Sequence, residues 1–375
     1  MAREVAVKRE VTISAEPRGW QSKKFRQRMT QVLATILVGI GGGIILVPVI
    51  WMFSTSLKTQ NTVVSLPPDF IPRQSQSVEI DGRKLYLYDV TIDGETKVLA
   101  AVKLNPEKSE FVDPDDPSQV YYAPASQARK HKMVWAHWEN YVETWTFATT
   151  PFGVFMKNTT IYALVAVFGE VLTCSLVAYG FARLRAPGKN FLFMLLLGTM
   201  MLPWAVTMIP SYVLFTRYIP DFLNELLDSK IKLADSWWPL MVPKFFGSAY
   251  LIFLIRQFYM GIHKDYDDAA RIDGCGFFQT WARIILPMSR PVLTAVAILS
   301  FMYHWNDYGG PLIYLSTTEK LPLSVGLANF NEAYGGTPYH LMMAASLIAV
   351  APLVAIFFAL NRYFIQGVVV SGVKG

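Results

Sequence analysis

The stretch IHKDYDDAARIDGCGFFQTWARIILPMSRP, Ile262–Pro291, decides how this chain is read: a charged island lies between two long apolar runs. Asp265 is placed to cap a short helix, and Asp267 and Asp268 add carboxylates to its first turn, where the positive end of the helix dipole favours them. Arg271 suits the other end. Gly274 stands where such a helix needs a left-handed residue to stop, and Gly276 gives the backbone freedom to turn again. Beyond it Phe277, Trp281, Ile284 and Ile285 recur at helical spacing, so a second helix presents one apolar face, and Pro287 breaks or kinks it before the next apolar run. The expected product is a two-helix knuckle with an apolar underside. An amphipathic loop lying on a membrane surface is the plainer reading of the same residues.

Working outward, the chain of 375 residues is 53% apolar and 14% aromatic, a composition that fits an integral membrane protein better than a soluble domain. The net charge of +6 would suit nucleic acid if it formed one patch. The Lys and Arg residues instead crowd the ends of apolar runs, where orientation in a membrane explains them; lipid is an expected partner and nucleic acid is not. Cys174 lies in an apolar run and Cys275 in the charged island, so a disulfide between them is not expected.

Residues 1–31 form a basic tail ahead of an uncharged run, 32–53, that is long enough to cross a bilayer. Its length exceeds the apolar core of a cleaved signal peptide, and no small-residue cleavage site follows. Further spans are expected over Thr160–Phe181, Phe191–Phe215, Trp237–Phe258, Val292–Ile313 and Leu341–Phe364. The basic tail, the loop Arg183–Lys189 and the island 262–291 all fall on one side if there are six crossings, and the excess of Lys and Arg makes that side cytoplasmic. The fold class is thus an all-α membrane protein of six transmembrane helices, both termini cytoplasmic, with a core over 158–365 and a tail over 366–375.

Between the first two spans, residues 54–157 form a long external loop. Val78–Gly82, Leu85–Gly94 and Lys97–Leu104 alternate in the manner of strands around two Asp-Gly turns, which predicts a small β-meander. An acidic, proline-punctuated loop follows over Glu110–Ser118. Trp135, His137, Trp138 and Tyr141 then mark an aromatic segment at the membrane interface, with His137 read as an interfacial histidine rather than a metal ligand.

Within the spans, Glu170 is costly to insert by roughly 2.5–3.5 kcal/mol unless it faces protein or water, so it points inward. It either lines a transport path or makes a buried hydrogen bond to a neighbouring helix. Lys244 is read as snorkelling outward. His304-Trp305-Asn306-Asp307-Tyr308 interrupts an apolar run and is followed by Gly309-Gly310-Pro311, which unwinds or kinks it. A planar amide and carboxylate beside an indole face, Asn306, Asp307 and Trp305, suit a sugar's hydroxyls and its apolar C–H side; helix packing explains the same residues. Met200-Met201-Leu202-Pro203-Trp204, with Pro210 beyond it, is read first as a kink in the third span and second as a segment lining the path.

No phosphate-binding Gly-x-x-x-x-Gly-Lys-Ser/Thr loop occurs, and Gly39–Gly43 lies inside a span with no lysine after it, so the chain is not expected to hydrolyse ATP. No nucleophile triad or Cys/His metal spacing argues for an enzyme.

Asp268-Ala269-Ala270, Gly274, Ile284 and Leu286-Pro287 stand at the spacing by which the island resembles the cytoplasmic coupling loop of ABC importer permeases. That pattern has Glu where this chain has Asp268, which keeps the charge and shortens the reach. Asn158, Ala178–Arg183, Pro187-Gly188, Trp305–Asp307 and the tail Gly372–Gly375 extend the resemblance to the carbohydrate branch, the maltose-type permeases of the prokaryotic inner membrane. The resemblance implies a sugar importer working by alternating access. Its partners would be a second permease, a cytoplasmic ATPase dimer holding ATP and Mg, and an external sugar-binding protein, with no cofactor on this chain. The long first external loop departs from the family's short form. An ion-coupled secondary transporter using Glu170, Lys244, His304 and Asp307 remains an alternative, as does a permease for a polyol or glycerol phosphate.

Overall fold

The computed structural model describes residues 23–63, 69–92, 94–146, 150–329 and 337–369. The basic stretch before Lys23, Asp93 and the tail Gly372–Gly375 fall outside them. The chain divides into two units, one ending at Phe53 and one beginning at Ser54. The first is helix α1 (Lys23–Ser56) up to that boundary, whose aliphatic residues from Val32 to Ile50 are mostly exposed. A helix apolar on all sides is what a lipid-facing span requires.

In the second unit a short helix α2 (Gln60–Val63) precedes a β-rich segment. Strands β1 (Arg73–Ser75), β2 (Ser77–Ile80), β3 (Arg83–Ile92), β4 (Glu95–Lys103), β5 (Ser109–Val112), β6 (Val120–Ala123), β7 (Ala128–Lys130) and β8 (Lys132–Val134) follow. Asp81 and Gly82 both take positive φ, 49° and 71°, the two-residue turn that matches strand twist in a hairpin. Sheet order is β2-β3-β4-β5-β6, and β7 returns to pair with β3, which curls the sheet around Val90, Leu99 and Phe111, all fully buried. The segment is therefore larger than a meander of three strands, and Glu110 belongs to β5 rather than to a loop. Strands β1 and β8 form a separate antiparallel ribbon, Ser75 facing Lys132, at the base of the insert. Helix α3 (Glu139–Thr146) then packs its Asn140 inward, where the amide donates to the carbonyls of Ser56 and Lys58.

The helical core follows. Helix α4 (Phe152–Arg183) runs for 32 residues. Helices α5 (Lys189–Thr199) and α6 (Trp204–Val213) replace the single span expected over Phe191–Phe215: the chain bends by 95° at Met200–Pro203. Pro203 explains the break, because it lacks an N–H and disfavours helical backbone in Leu202. A π-turn, Leu214–Tyr218, leads into α7 (Ile219–Leu227). Helix α8 (Trp238–Met241) and a 3-10 turn, Val242–Phe246, precede α9 (Ala249–Gly261), so the fourth span is interrupted at Gly247.

Helices α10 (Asp265–Ile272), α11 (Phe277–Thr280) and α12 (Leu286–Met288) make up the island, with a π-turn over Trp281–Ile285. Helix α13 (Arg290–Trp305) ends at Asn306, short of the expected Ile313, and α14 (Gly309–Tyr314) restarts the helix. Asp307 takes the Gly310 N–H, a side-chain bond that competes with the helical ladder. Helices α15 (Leu323–Asn329) and α16 (Tyr339–Val369) close the unit. Two apolar clusters hold it together: one where α4 meets α13 and α16, built on Phe152, Tyr162, Phe301 and Leu341, and one where α4 meets α9 and the island, built on Ile252, Ile255, Tyr259 and Ile285. Among the described residues four helices are long and apolar enough to cross a membrane, or up to six if each bent pair is one span.

Outside the helices, Asp235 fastens two loops. Its carboxylate accepts from the N–H groups of Ser316 and Thr317, the Thr317 hydroxyl and the Lys320 ammonium. These donors, Lys320 first, hold the carboxyl well below the usual carboxylate range.

Candidate functional site

The island folds as a knuckle, with three corrections to its sequence reading. Helix α10 ends in a Schellman closure: the Gly274 N–H bonds to the Arg271 carbonyl and the Cys275 N–H to the Ala270 carbonyl. Gly274 takes φ +77, as expected. Gly276 is extended at φ −74 and needs no glycine freedom; its N–H is taken by the Gln279 side chain at 3.0 Å. Asp265 does not cap the helix, since Lys264 holds that position; Asp265 instead lies 3.1 Å from His263 on the surface. The bend into α13, 82°, falls between Met288 and Arg290, not at Pro287. The Leu286 N–H bonds back five residues to Trp281, and this wider turn accommodates the proline that follows without breaking the helix.

Asp267 is the residue whose role the charge pattern hid. It is buried, sits 3.2 Å from the Arg183 Nε and accepts from the Tyr179 hydroxyl at 3.1 Å. Arg183 also donates from Nη2 to the Ile262 carbonyl at 2.7 Å. The last turn of α4 thus grips both the entry to the knuckle and its first helix. Ala270 is buried beneath α10, and Ile284 and Leu286 pack into the apolar cluster below. Asp268, Ala269, Gly274 and Pro287 are exposed. Asp268 lies 3.4 Å from Arg271, and the neighbouring Ile272 and Phe278 are 87% and 65% exposed. The motif therefore splits into an inward half that fixes the knuckle and an outward half that meets nothing else in this chain among the described residues.

A second polar group lies where α4 crosses α13. Glu170 is buried; the Ser300 hydroxyl donates to its Oε2 at 2.7 Å, and the His304 Nε2 stands 3.2 Å from its Oε1. The Tyr162 ring meets His304 with centroids 5.4 Å apart, and its hydroxyl donates to Asp307 at 2.7 Å. Of the four residues proposed from sequence for a substrate path, the fold joins Glu170 and Asp307 through Tyr162 and His304. Trp305 points into the core, stacked on Phe301 and donating to the Ala349 carbonyl at 3.0 Å. Asn306 is exposed and bonds to Met302 in its own helix. Sequence reasoning missed Tyr162 and Ser300. The signal was present, because Ser300 and His304 are one turn apart on α13 and Tyr162 and Glu170 two turns apart on α4.

Long apolar α-helices, two bent helix pairs and a clamped knuckle define a polytopic membrane protein. The family model described as "Binding-protein-dependent transport system inner membrane component" matches residues 171–370. The arabinooligosaccharides transport system permease protein AraQ of Halalkalibacterium halodurans is 33% identical over 218 residues, 58% of this chain and 73% of that protein. AraQ of Bacillus subtilis is 32% identical over 236 residues, 62% and 79% of the two chains. The sn-glycerol-3-phosphate transport system permease protein UgpE of Yersinia pestis is 29% identical over 261 residues, 68% and 86%. A crystal structure of a bacterial ABC transporter involved in the import of the acidic polysaccharide alginate shares the fold, with a TM-score of 0.59 at 19% identity over 92% of this chain and 98% of that one. The chain belongs to the inner-membrane components of binding-protein-dependent transport systems, a membership that sets aside the ion-coupled secondary transporter. The β-rich segment lies outside the matched region.

Proposed function

We propose that this chain is one permease subunit of an ATP-driven importer that moves a sugar or oligosaccharide across the cytoplasmic membrane of a prokaryote by alternating access. Counting each bent pair as one span gives six crossings with both termini cytoplasmic, which leaves residues 54–157 outside. A second permease, a cytoplasmic ATPase dimer that binds ATP and Mg, and an external sugar-binding protein complete the assembly. The named relatives that carry arabinooligosaccharides support a saccharide cargo; the relative that carries sn-glycerol 3-phosphate supports a glycerol phosphate as the second reading.

The observation that carries the proposal is the grip of Arg183 and Tyr179 on Asp267. A separate motor must push on something rigid, and here the exposed edge of α10 is tied to the end of a helix of 32 residues, roughly 48 Å long at 1.5 Å per residue. Force applied at Asp268 and Ile272 passes to α4 and thence to the polar group around Glu170. Asp268→Lys reverses charge on the exposed edge. Gly274→Val forces a β-branched residue into left-handed backbone at a cost of about 1–2 kcal/mol, in a place where an added Cβ meets nothing within 4 Å. Both variants are expected to reach the membrane at normal levels and to lose uptake, with the ATPase detached or hydrolysing without transport. Pull-down of the ATPase and uptake measured in the same membranes test this. Full binding together with full uptake in both variants would remove the coupling role.

A further inference from the structure

A cavity of about 620 Å3 opens beside the buried face of Glu170. Its polar lining comes from three parts of the chain: Glu170 on α4, Lys244, Ser248 and Tyr250 from the interrupted fourth span, and Ser300 and Tyr303 on α13. The interruption brings Lys244 there. At Gly169 an added Cβ would lie 3.1 Å from the Phe245 ring, so the absence of a side chain lets the turn 242–246 press against α4 one residue before the carboxylate.

The charges in the cavity are unevenly matched. Glu170 already has Ser300 and His304 on its two oxygens. Lys244 makes no hydrogen bond or close ion pair among the described residues; it faces the Tyr303 ring, centroid 5.9 Å away, and feels the Glu170 carboxylate only through space. An ammonium within a membrane-spanning segment is expensive and is kept where it faces water or an anion. Tyr303 and Tyr250 are 65% and 46% exposed and offer ring faces to the C–H side of a sugar ring, while Ser248 offers a hydroxyl.

We propose that this cavity is a saccharide subsite on the translocation path, and that Lys244 selects sugars carrying a single carboxylate, such as uronic acids. A monoanion fits better than a phosphate dianion because Lys244 offers the cavity's one ammonium, free of hydrogen bonds among the described residues, while the Glu170 carboxylate in the same cavity repels a second negative charge. The proposal rests on the importer reading, since it presumes that cargo reaches this depth of the membrane.

The test uses the full chain, purified in lipid nanodiscs with the proteins it assembles with, and equilibrium dialysis of radiolabelled galacturonate, which carries one carboxylate, against its methyl ester, which has nearly the same shape without charge. Wild type is expected to bind the acid about tenfold more tightly than the ester, the size of one charge-assisted hydrogen bond. Lys244→Gln should erase that ratio and Lys244→Arg keep it. Tyr303→Leu should weaken acid and ester alike and leave the ratio standing, which separates ring stacking from charge recognition. A wild-type ratio near one, binding of neither compound, or an unchanged ratio in Lys244→Gln would overturn the subsite. Galactose 6-phosphate displacing the label more effectively than galacturonate would overturn the choice of a monoanion. ATP dependence of uptake by the same complex reconstituted in proteoliposomes tests the importer reading separately: if uptake persists without ATP, that reading fails while the acid-to-ester ratio is still measured in nanodiscs.

Discussion

Asp267 and Asp268 are neighbours with opposite surroundings, and the difference can be measured. The Arg183–Asp267 pair has side chains 7% and 11% exposed, whereas those of Arg271 and Asp268 are 72% and 67% exposed. Removing one charge from a buried pair strands the other, at a cost of about 3–5 kcal/mol, while an exposed pair contributes about 0–1 kcal/mol. Asp267→Asn is therefore expected to lower the thermal midpoint of the detergent-solubilised protein clearly, and Asp268→Asn hardly at all. Combining Arg183→Met with Asp267→Leu should recover much of the stability, because no uncompensated charge then remains. Equal midpoints for the two Asn variants would show that the buried pair contributes nothing. The sequence put both aspartates in a first turn near a helix dipole, which is correct for both and decides nothing between them. Position along α10 separates them: residues 267 and 270 share the inner face, but the partner that makes Asp267 inward, Arg183, is distant in the chain and no local pattern points to it.

Elements were legible where a local rule governs and illegible where a tertiary contact does. The Asp-Gly turns specified β2, β3 and β4, because a turn needing positive φ has few sequences to choose from. Strands β6 and β7 are short, lack alternation and exist by pairing with β5 and β3; nothing in VYYA or ARK announces them. Prolines did not give the form of the chain around them: Pro203 stops a helix, whereas π-turns just ahead of Pro220 and Pro287 let the chain continue. The β-rich insert also shows where it can be cut. Every strand from β2 to β7 pairs within the insert, and Ser75 and Lys132 face one another in the β1–β8 ribbon. Residues 76–131 can thus be replaced by Asn-Gly, a two-residue turn that closes the ribbon as a hairpin. If the insert helps to dock the external binding protein, the shortened chain should insert and assemble normally while binding-protein stimulation of ATP hydrolysis falls severalfold. Unchanged stimulation would make the insert a bystander.

Across the whole molecule, α4 touches both polar groups. Its last turn holds Asp267, its middle holds Glu170, and Tyr162 two turns earlier reaches Asp307. The sequence supplied the apolar runs, the knuckle and the polar residues, but not this shared strut, since the connections run between segments more than a hundred residues apart in two of the three cases. A strut predicts a pattern of coupling. Glu170→Gln keeps an acceptor for Ser300 and gives up the charge facing His304; Asp307→Leu removes the acceptor for Tyr162. Each is expected to cut ATP-dependent uptake by about tenfold or more while the complex still assembles and hydrolyses ATP, because a buried polar group that loses its partner costs about 1–3 kcal/mol in whichever state needs it. The two losses should not add in the double variant, as residues within one network do not. Asn306→Leu is the contrast: its amide bonds only to Met302 in its own helix, so uptake should stay within about twofold of wild type, the span of a surface change. Additive losses from Glu170→Gln and Asp307→Leu, or an Asn306→Leu defect as deep as theirs, would mean that transmission does not run along α4 and that the exposed end of α13 carries it instead.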